Sequence, residues 1–150
     1  MEIYVSDVTL KDKSGWEDLY QEYAEFYEMP MDQQILDTVW GWIQSEKDEF
    51  YCIIARDKNQ TPIGFMHYRS MFSPLRGTKV GYLDDLFLSP AYRGTGTVEK
   101  LFEALDVRAQ QNDWPFVRWI TADDNCRAQA VYNKLSERTK WVTYQKSTGG

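Results

Sequence analysis

The segment LFLSPAYRGTGTVEKLF, residues 86–102, is the part of the sequence that says most about the fold. An apolar, strand-like run leads into a turn, the turn into two glycines two residues apart, and the glycines into a helical pattern. Such a loop can direct main-chain N–H groups and the positive end of a helix dipole at a polyanion. It lacks the third glycine of a dinucleotide fingerprint and the G-K-[ST] of a P-loop. We therefore predict a phosphate-binding loop of another type, with Arg93 as a positive charge at its rim.

The patterns on either side of this loop predict one mixed α/β domain over residues 1–150. Strands are predicted at residues 2–7, 50–57, 62–72, 77–89, 115–122 and 141–146. Helices are predicted at residues 15–29, 32–45, 95–112 and 125–135. The order is an antiparallel meander first and crossover helices afterwards. Ser14 and Glu17 are expected to form a capping box at the start of the first helix.

Composition narrows the class of partner. The formal net charge of -6 argues against nucleic acid, because duplex binding needs a cationic surface, and it favours a cationic substrate. The two cysteines, Cys52 and Cys126, indicate neither a disulfide framework nor a metal site. The N-terminus has no secretory leader pattern, and no apolar stretch approaches the ~20 residues of a membrane span. We expect a soluble, cytoplasmic protein with no membrane partner.

A second functional pattern lies in DDNCRAQAVYNKL, residues 123–135. Asn125, Ala128 and Tyr132 are three and then four residues apart, so they share one stripe of the predicted helix. This spacing places an amide, a gap and a phenol in line along one elongated ligand. Taken alone, Tyr132 could equally be a surface or core aromatic.

Together the two patterns resemble the motifs of the GNAT superfamily of N-acetyltransferases. Residues 93–98 resemble its acyl-CoA motif, [RQ]-x-x-G-x-[GA], and residues 125–132 resemble its N-x-x-A-x-x-x-Y signature. The resemblance implies a GNAT-like acyl-CoA N-acyltransferase fold, an α/β (α+β) arrangement with a mixed central sheet, an antiparallel N-terminal meander, flanking helices and a splayed pair of parallel strands. It implies acetyl-CoA as cosubstrate and no metal. By this resemblance the coenzyme-binding residues are Leu86, Phe87, Leu88, Arg93, Gly94, Thr95, Gly96, Thr97, Val98, Asn125 and Ala128.

The chain departs from the family pattern at two places. Val98 stands where Gly or Ala is usual, and its branched side chain is expected to weaken or slightly displace coenzyme binding. Lys140 and Trp141 replace the usual Gly-Phe, and one closing strand is predicted where two are typical. A homodimer is an expectation that depends on this edge of the sheet.

The segment YLDDLFL, residues 82–88, places Asp84 and Asp85 in an otherwise apolar strand. A carboxylate there costs several kcal/mol unless it is paired or solvated, so its presence needs a reason. Successive side chains of a regular strand face opposite ways, so only a bulge would bring both acids into one cleft. A structural alternative is a carboxylate paired with Arg69 or Lys79.

Chemical roles for these acids follow from the resemblance. The segment resembles the L-E-D-x-x-V run of the diamine and polyamine acetyltransferase branch, which implies that Asp84 is the general base, directly or through water. Asp85 is the second choice of base and a substrate-binding residue. The family's bulge on this strand frees a main-chain N–H near residues 86–88 to bond the thioester carbonyl. Tyr132 is the implied general acid. Cys126 as nucleophile and His67 as base are alternatives, although each residue is more often inert or structural.

The acceptor is expected to bind near YQEYAEFYEMPMDQ, residues 20–33. Tyr27 and Glu28, with Glu22 and Glu25, could line a cationic pocket, although a solvated helix face explains them as well. The predicted activity is direct transfer of the acetyl group of acetyl-CoA, in a ternary complex, to a primary amine of a diamine, polyamine or lysine-like amino acid. Two alternatives stay open: acetylation of a protein lysine or N-terminus, and a catalytically silent acyl-CoA-binding module.

Overall fold

The computed structural model describes residues 2–149, which divide into two compact units, residues 2–119 and residues 120–149. The first unit contains a five-stranded sheet in the order β1-β2-β3-β4-β5. The strands are β1 (Tyr4–Asp7), β2 (Phe50–Arg56), β3 (Pro62–Ser73), β4 (Thr78–Leu88) and β5 (Val117–Arg118). The first four strands pair antiparallel, and β5 lies parallel to β4. The predicted antiparallel meander with a parallel strand pair is therefore confirmed.

Three helices belong to the same unit: α1 (Lys13–Phe26), α2 (Gln33–Gln44) and α3 (Thr97–Gln111). Side chains from α1 and α2 pack with alternate residues of β2 and β3 in one apolar cluster. Trp16, Leu36, Ile54 and Phe65 are fully buried in it. Residues 52–55 of β2 are all buried, and α3 packs against β1, β2 and β4. Because successive strand residues face opposite ways, this sheet is covered on both faces.

The predicted capping box at Ser14 is wrong, because α1 begins before it. Asp12 accepts hydrogen bonds from the main-chain N–H of Thr9 at 2.8 Å and from its hydroxyl at 3.0 Å, which closes a turn immediately before the helix. Asp12 also forms a buried ion pair with Arg56 of β2. This tertiary contact fixes the start of the helix, so Ser14 and Glu17 lie inside α1.

A β-bulge interrupts β4 at the acid pair. Along the ladder His67 lies opposite Asp85 and Tyr68 lies opposite Leu83, which leaves Asp84 without a partner on β3. The bulge predicted for this strand is therefore confirmed. Strand β5 pairs with β4 only at Gly81 and Tyr82. Beyond those two positions, that edge of β4 has no strand partner among residues 2–149.

The second unit contains α4 (Cys126–Leu135), which matches the predicted helix, with Asn125 as its N-cap. The strand predicted at residues 141–146 is wrong: no helix or strand is present in residues 137–149. The strand predicted at residues 115–122 is reduced to β5. A strand forms only where a second strand takes its N–H and C=O groups, and an aromatic-rich pattern does not supply that partner. Every helix in residues 2–149 is too short or too polar to cross a lipid bilayer.

Candidate active site

The loop before α3 has the backbone conformation that its glycines predict. Gly94 has φ 77° and Gly96 has φ 80°, in the left-handed region that favours glycine. A Cβ atom on either glycine would meet no atom within 4 Å. Space therefore does not require glycine here, whereas the backbone conformation does. The main chain is open to the outside at both positions.

Main-chain N–H groups of this loop are available to a ligand. No main-chain N–H of residues 94–99 donates a hydrogen bond within the part of the chain that the structure describes. The Thr95 hydroxyl donates instead to the Tyr92 carbonyl at 2.5 Å. The buried hydroxyl of Thr97 lies 2.7 Å from the Thr95 hydroxyl. The side chains thus hold the turn while the main-chain donors stay unpaired. Several such donors at a helix N-terminus form an anion-binding site.

Val98 does not disturb the helix that follows the loop. Helix α3 begins at Thr97 directly after Gly96, and the Lys100 N–H donates to the Gly96 carbonyl at 3.2 Å. Val98 is half-buried in this regular first turn, and Arg93 is exposed at the rim. The effect of Val98 on coenzyme affinity stays a prediction. The unpaired donors and the open glycines fit a pyrophosphate.

The end of β4 supplies two further main-chain donors. The Ser89 N–H donates to the Ile63 carbonyl on β3 at 2.8 Å. Because main-chain groups alternate between the two edges of a strand, Leu88 and Leu86 direct their N–H groups to the other edge. That edge is the one on which β5 stops pairing after Tyr82. Phe87 directs its N–H towards β3 instead, and its ring lies 6.2 Å from that of Phe65.

An acidic cleft of about 450 Å³ lies between α1, α2 and the bulge of β4. Both Asp84 and Asp85 line it, which a regular strand would not allow. The other lining residues are Tyr20, Val39, Trp42, Asp48, Phe50 and Arg69. Arg69 is the one cation among these residues. The bulge therefore has a chemical consequence, since it directs two adjacent carboxylates towards the same cleft.

A chain of hydrogen bonds joins Asp85 to the core. The Trp16 indole N–H donates to His67 Nε2 at 2.9 Å, and His67 Nδ1 lies 2.8 Å from Asp85 Oδ2. An indole N–H can only donate, so Nε2 accepts and the proton of the imidazole lies on Nδ1, which donates to Asp85. His67 is fully buried and neutral in this arrangement. The Tyr20 hydroxyl also donates to Asp85 Oδ2, at 3.3 Å.

The two carboxyl groups differ in proton affinity. Burial by itself raises the pKa of Asp85, but the hydrogen bond and electrostatic interaction with His67, followed by hydrogen bonds from Tyr23 and Tyr20, outweigh it and hold that pKa below the usual aspartate value. Burial also raises the pKa of Asp84, and there the Arg69 guanidinium, whose Nε donates to Asp84 Oδ2 at 2.9 Å, offsets only part of the rise. The cleft thus contains one carboxylate held ionised and one that is easier to protonate.

The remaining predicted residues are not part of the lining of the acidic cleft. Asn125 caps α4, its side chain accepting from the Ala128 N–H at 3.2 Å, and both residues are half-buried, as is Tyr132 on the same stripe. Tyr27 and Glu28 are exposed at the end of α1 and do not line the acidic cleft. Cys126 is exposed.

The contacts of Trp16 and Tyr20 with the cleft are not predictable from the sequence pattern. Their spacing of four residues on α1 indicates a shared helix face, but the contact with His67 and Asp85 depends on the packing of α1 against the sheet. From the sequence, Arg69 is predicted only as a structural partner of an acid. Its pairing with Asp84 is now observed, and so is its place in the lining of the cleft.

Comparison with known proteins identifies a family and similar folds. Residues 16–136 match the acetyltransferase (GNAT) family profile. The chain is 29% identical to the D-amino-acid N-acetyltransferase HPA3 of Saccharomyces cerevisiae, over 97% of this chain and 91% of that protein. Its fold is similar to that of the ribosomal-protein-alanine N-acetyltransferase of Brucella melitensis, with TM-score 0.81, 16% identity and coverage of 99% and 100% of the two chains.

A third likeness is to AAC(6')-Iy, solved in complex with the bisubstrate analog CoA-S-monomethyl-acetylneamine. Its TM-score is 0.83 at 17% identity, with 99% of each chain covered. The two structural likenesses show the fold, and the predicted GNAT-like fold is confirmed. On the family match and the fit of its loop to a coenzyme pyrophosphate, this chain belongs to the acetyltransferase (GNAT) family and is an N-acetyltransferase that uses acetyl-CoA.

Proposed function

We propose that this enzyme acetylates a primary amine of a small cationic acceptor bound in the acidic cleft, by direct attack in a ternary complex. The observation that carries the proposal is the pair of aspartates at the bulge of β4, which line one cleft and have opposite pKa shifts. A small amine arrives as an ammonium ion and must lose a proton before it can attack a thioester. Binding the cation and removing its proton are separate tasks, and each suits one of the two carboxylates.

Asp85 suits the binding task. It stays ionised because three donors, from His67, Tyr23 and Tyr20, stabilise its charge, and its remaining lone pairs can accept from an ammonium group. Burial followed by the charge of Asp85 raises the pKa of both tyrosines, so both phenols stay protonated and act as donors. Asp85 is therefore a fixed anionic anchor and a poor proton acceptor.

Asp84 suits the proton-transfer task. Its raised pKa brings it closer to the range in which a carboxylate can take a proton from an ammonium ion and release it again. Its side chain is 28% exposed, so the proton can leave through solvent. Asp84 is accordingly the proposed general base, directly or through a water molecule.

Coenzyme residues are proposed from the family resemblance and from the unpaired donors. Acetyl-CoA supplies the acetyl group as a thioester. The N–H groups of residues 94–99 would bind its pyrophosphate, with Arg93 at the rim, and the Leu86 and Leu88 N–H groups would bind its amide arm and the carbonyl that becomes an oxyanion. From the resemblance, Asn125 and Ala128 are also proposed as coenzyme-binding residues, and Tyr132 as the acid that protonates the departing thiolate. A phenol suits this last role, since it gives up a proton at modest cost.

Candidate acceptors are diamines, polyamines and lysine-like amino acids. Three carboxylates line the cleft, at Asp48, Asp84 and Asp85, which favours a cation in each case. The yeast relative is named for acetylation of D-amino acids, which supports an amino acid as the acceptor. Tyr27 and Glu28 lie outside the lining and are retained only as candidates for the cleft entrance.

A panel of acceptors tests this proposal. The enzyme is incubated with acetyl-CoA and a polyamine, lysine analogues, D-amino acids or a histone-tail peptide, and thiol release and product mass are recorded. We expect acetylation of small amines at a rate at least ~10²-fold above that of Tyr132→Phe, whose CoA affinity should be unchanged. Acetylation of the peptide alone would identify a protein acetyltransferase. CoA binding by calorimetry without thiol release from any acceptor would identify a silent module.

A further inference from the structure

We infer that the acceptor is an amino acid whose carboxylate binds Arg69 while its amine lies against the two aspartates of the bulge. This inference rests on the proposed function, because it names the acceptor of the same cleft. The side chain that carries it is Arg69, which lines the cleft beside both aspartates.

Arg69 is held with part of its guanidinium unused. It extends from β3 opposite Tyr82 of β4, its Nε donates to Asp84 at 2.9 Å, and its guanidinium carbon lies 4.8 Å above the Tyr82 ring. Among residues 2–149 neither of its terminal amino groups has a hydrogen-bond acceptor. The side chain is 41% exposed and lines the acidic cleft. The ring and the aspartate thus orient a planar group whose terminal N–H donors point to a ligand or to solvent.

A carboxylate is the ligand that best matches these donors. The two terminal amino groups of a guanidinium form a fork that bonds both oxygens of a carboxylate at once. Pairing with Asp84 uses only the Nε–H of Arg69. That structural role therefore does not explain the two terminal amino groups. An acceptor with positive charge alone would be repelled by Arg69, since like charges in a partly dehydrated cleft oppose each other.

Charges of opposite sign stand side by side in the cleft. Arg69 is in direct contact with Asp84, and Asp84 is adjacent to Asp85 on the bulge. An amino acid presents the complementary arrangement, an ammonium group and a carboxylate separated by one carbon atom. A diamine presents two cations and has nothing to offer the guanidinium. The pattern of charge therefore favours the amino acid over the diamine.

Three acceptors that share one side chain test the inference: lysine, lysinamide and 1,5-diaminopentane. We expect kcat/KM for lysine to exceed the values for the other two by about 10-fold or more, the size of one charge-assisted contact. Arg69→Ala should raise KM for lysine and remove that preference, so that kcat/KM falls by a larger factor for lysine than for diaminopentane. Arg69→Lys, which keeps the charge and loses the fork, should recover only part of the preference.

Lys79→Ala is the matched control, since Lys79 is a cation of similar exposure that pairs with Glu49 at 2.6 Å and does not line the cleft. It should keep the preference for lysine, and thermal unfolding should show that every variant is folded. Preference for diaminopentane in the wild type would overturn the inference and leave the proposed function intact. An equal loss of kcat/KM with all three acceptors in folded Arg69→Ala would show that Arg69 acts only by supporting Asp84. That result would also overturn the inference. Failure of the wild type to acetylate any amine would instead defeat the proposed function.

Discussion

The loop at residues 93–98, which is the proposed coenzyme site, differs from the acidic cleft in the chemical groups that it presents. The loop presents main-chain N–H groups, and its side-chain hydroxyls only hold the turn. The cleft presents side chains drawn from α1, α2, β3 and β4, with the charges of two aspartates and an arginine. A ligand common to a whole family can be bound by the backbone, which every sequence has. A variable acceptor needs side chains, which differ from one enzyme to the next.

Within the cleft, the two adjacent aspartates differ in their contacts and in their acidity. Asp85 contacts a neutral, fully buried histidine, whereas Asp84 contacts a half-exposed arginine. The difference arises from the bulge, because Asp85 lies opposite His67 in the ladder, whereas no residue of β3 lies directly opposite Asp84. Identical side chains at neighbouring positions therefore acquire different acidities from their contacts.

The largest expected effect separates the two aspartates. Asp84→Asn should lower kcat by about 10²-fold or more, because an amide cannot accept the proton of the amine. In the wild type the rise of kcat with pH should follow ionisation of Asp84, above the usual aspartate range because its folded pKa is raised. That rise should vanish in the variant. A wild-type pH profile for Asp84→Asn would remove it from the mechanism.

Asp85→Asn provides the contrast with Asp84→Asn. It should act mainly on KM for the acceptor, since Asp85 is proposed to bind the cation. The folded pKa of Asp85 is lowered, so its carboxylate stabilises the fold above the usual aspartate pKa, and this contribution is lost as pH falls through the folded value. Acid unfolding of the variant should therefore lack that contribution. Equal kcat losses in both variants would contradict the division of roles.

The next effect tests the support of the cleft by the core. Trp16→Phe should lower the free energy of unfolding by at least about 1–3 kcal/mol, because it leaves the buried Nε2 of His67 without a donor. KM for the acceptor should also rise, since Asp85 loses its orientation. Trp40→Phe is the control: Trp40 is a buried tryptophan of the same cluster without a hydrogen bond to His67. Equal effects of both substitutions, in denaturant unfolding and in KM, would show that Trp16 contributes through packing alone and that its hydrogen bond to His67 adds nothing.

The smallest expected effect tests the loop. Gly96→Ala places a side chain at φ 80°, which costs roughly 1–2 kcal/mol and favours another loop conformation in the free protein. The Kd of CoA should rise about 5- to 30-fold, because binding must restore the original conformation. Calorimetry measures this change. Gly41→Ala in the middle of α2, where a Cβ atom also has open space, should leave Kd unchanged and stabilise the fold by about 0.5–1 kcal/mol.

The loop and most elements are predictable from the sequence because each depends on a local pattern. A glycine pair between a strand and a helix is a local pattern, and α2, α3 and α4 agree with their predicted bounds to within two residues. The capping box at Ser14 failed because a distant arginine, Arg56, holds the turn at Asp12. The strand at residues 141–146 failed because strand formation depends on a partner as well as on composition.

The sequence by itself determined the GNAT family and the position of the glycine loop before α3, since these depend on residue type and on spacing along the chain. Only the tertiary structure decided which acid contacts His67 and which contacts Arg69. Those contacts join residues 18 and 15 positions apart, and Trp16 lies 51 positions from the histidine it orients. Strand register and helix packing determine these contacts, and a bulge of one residue brings both carboxylates into the same cleft.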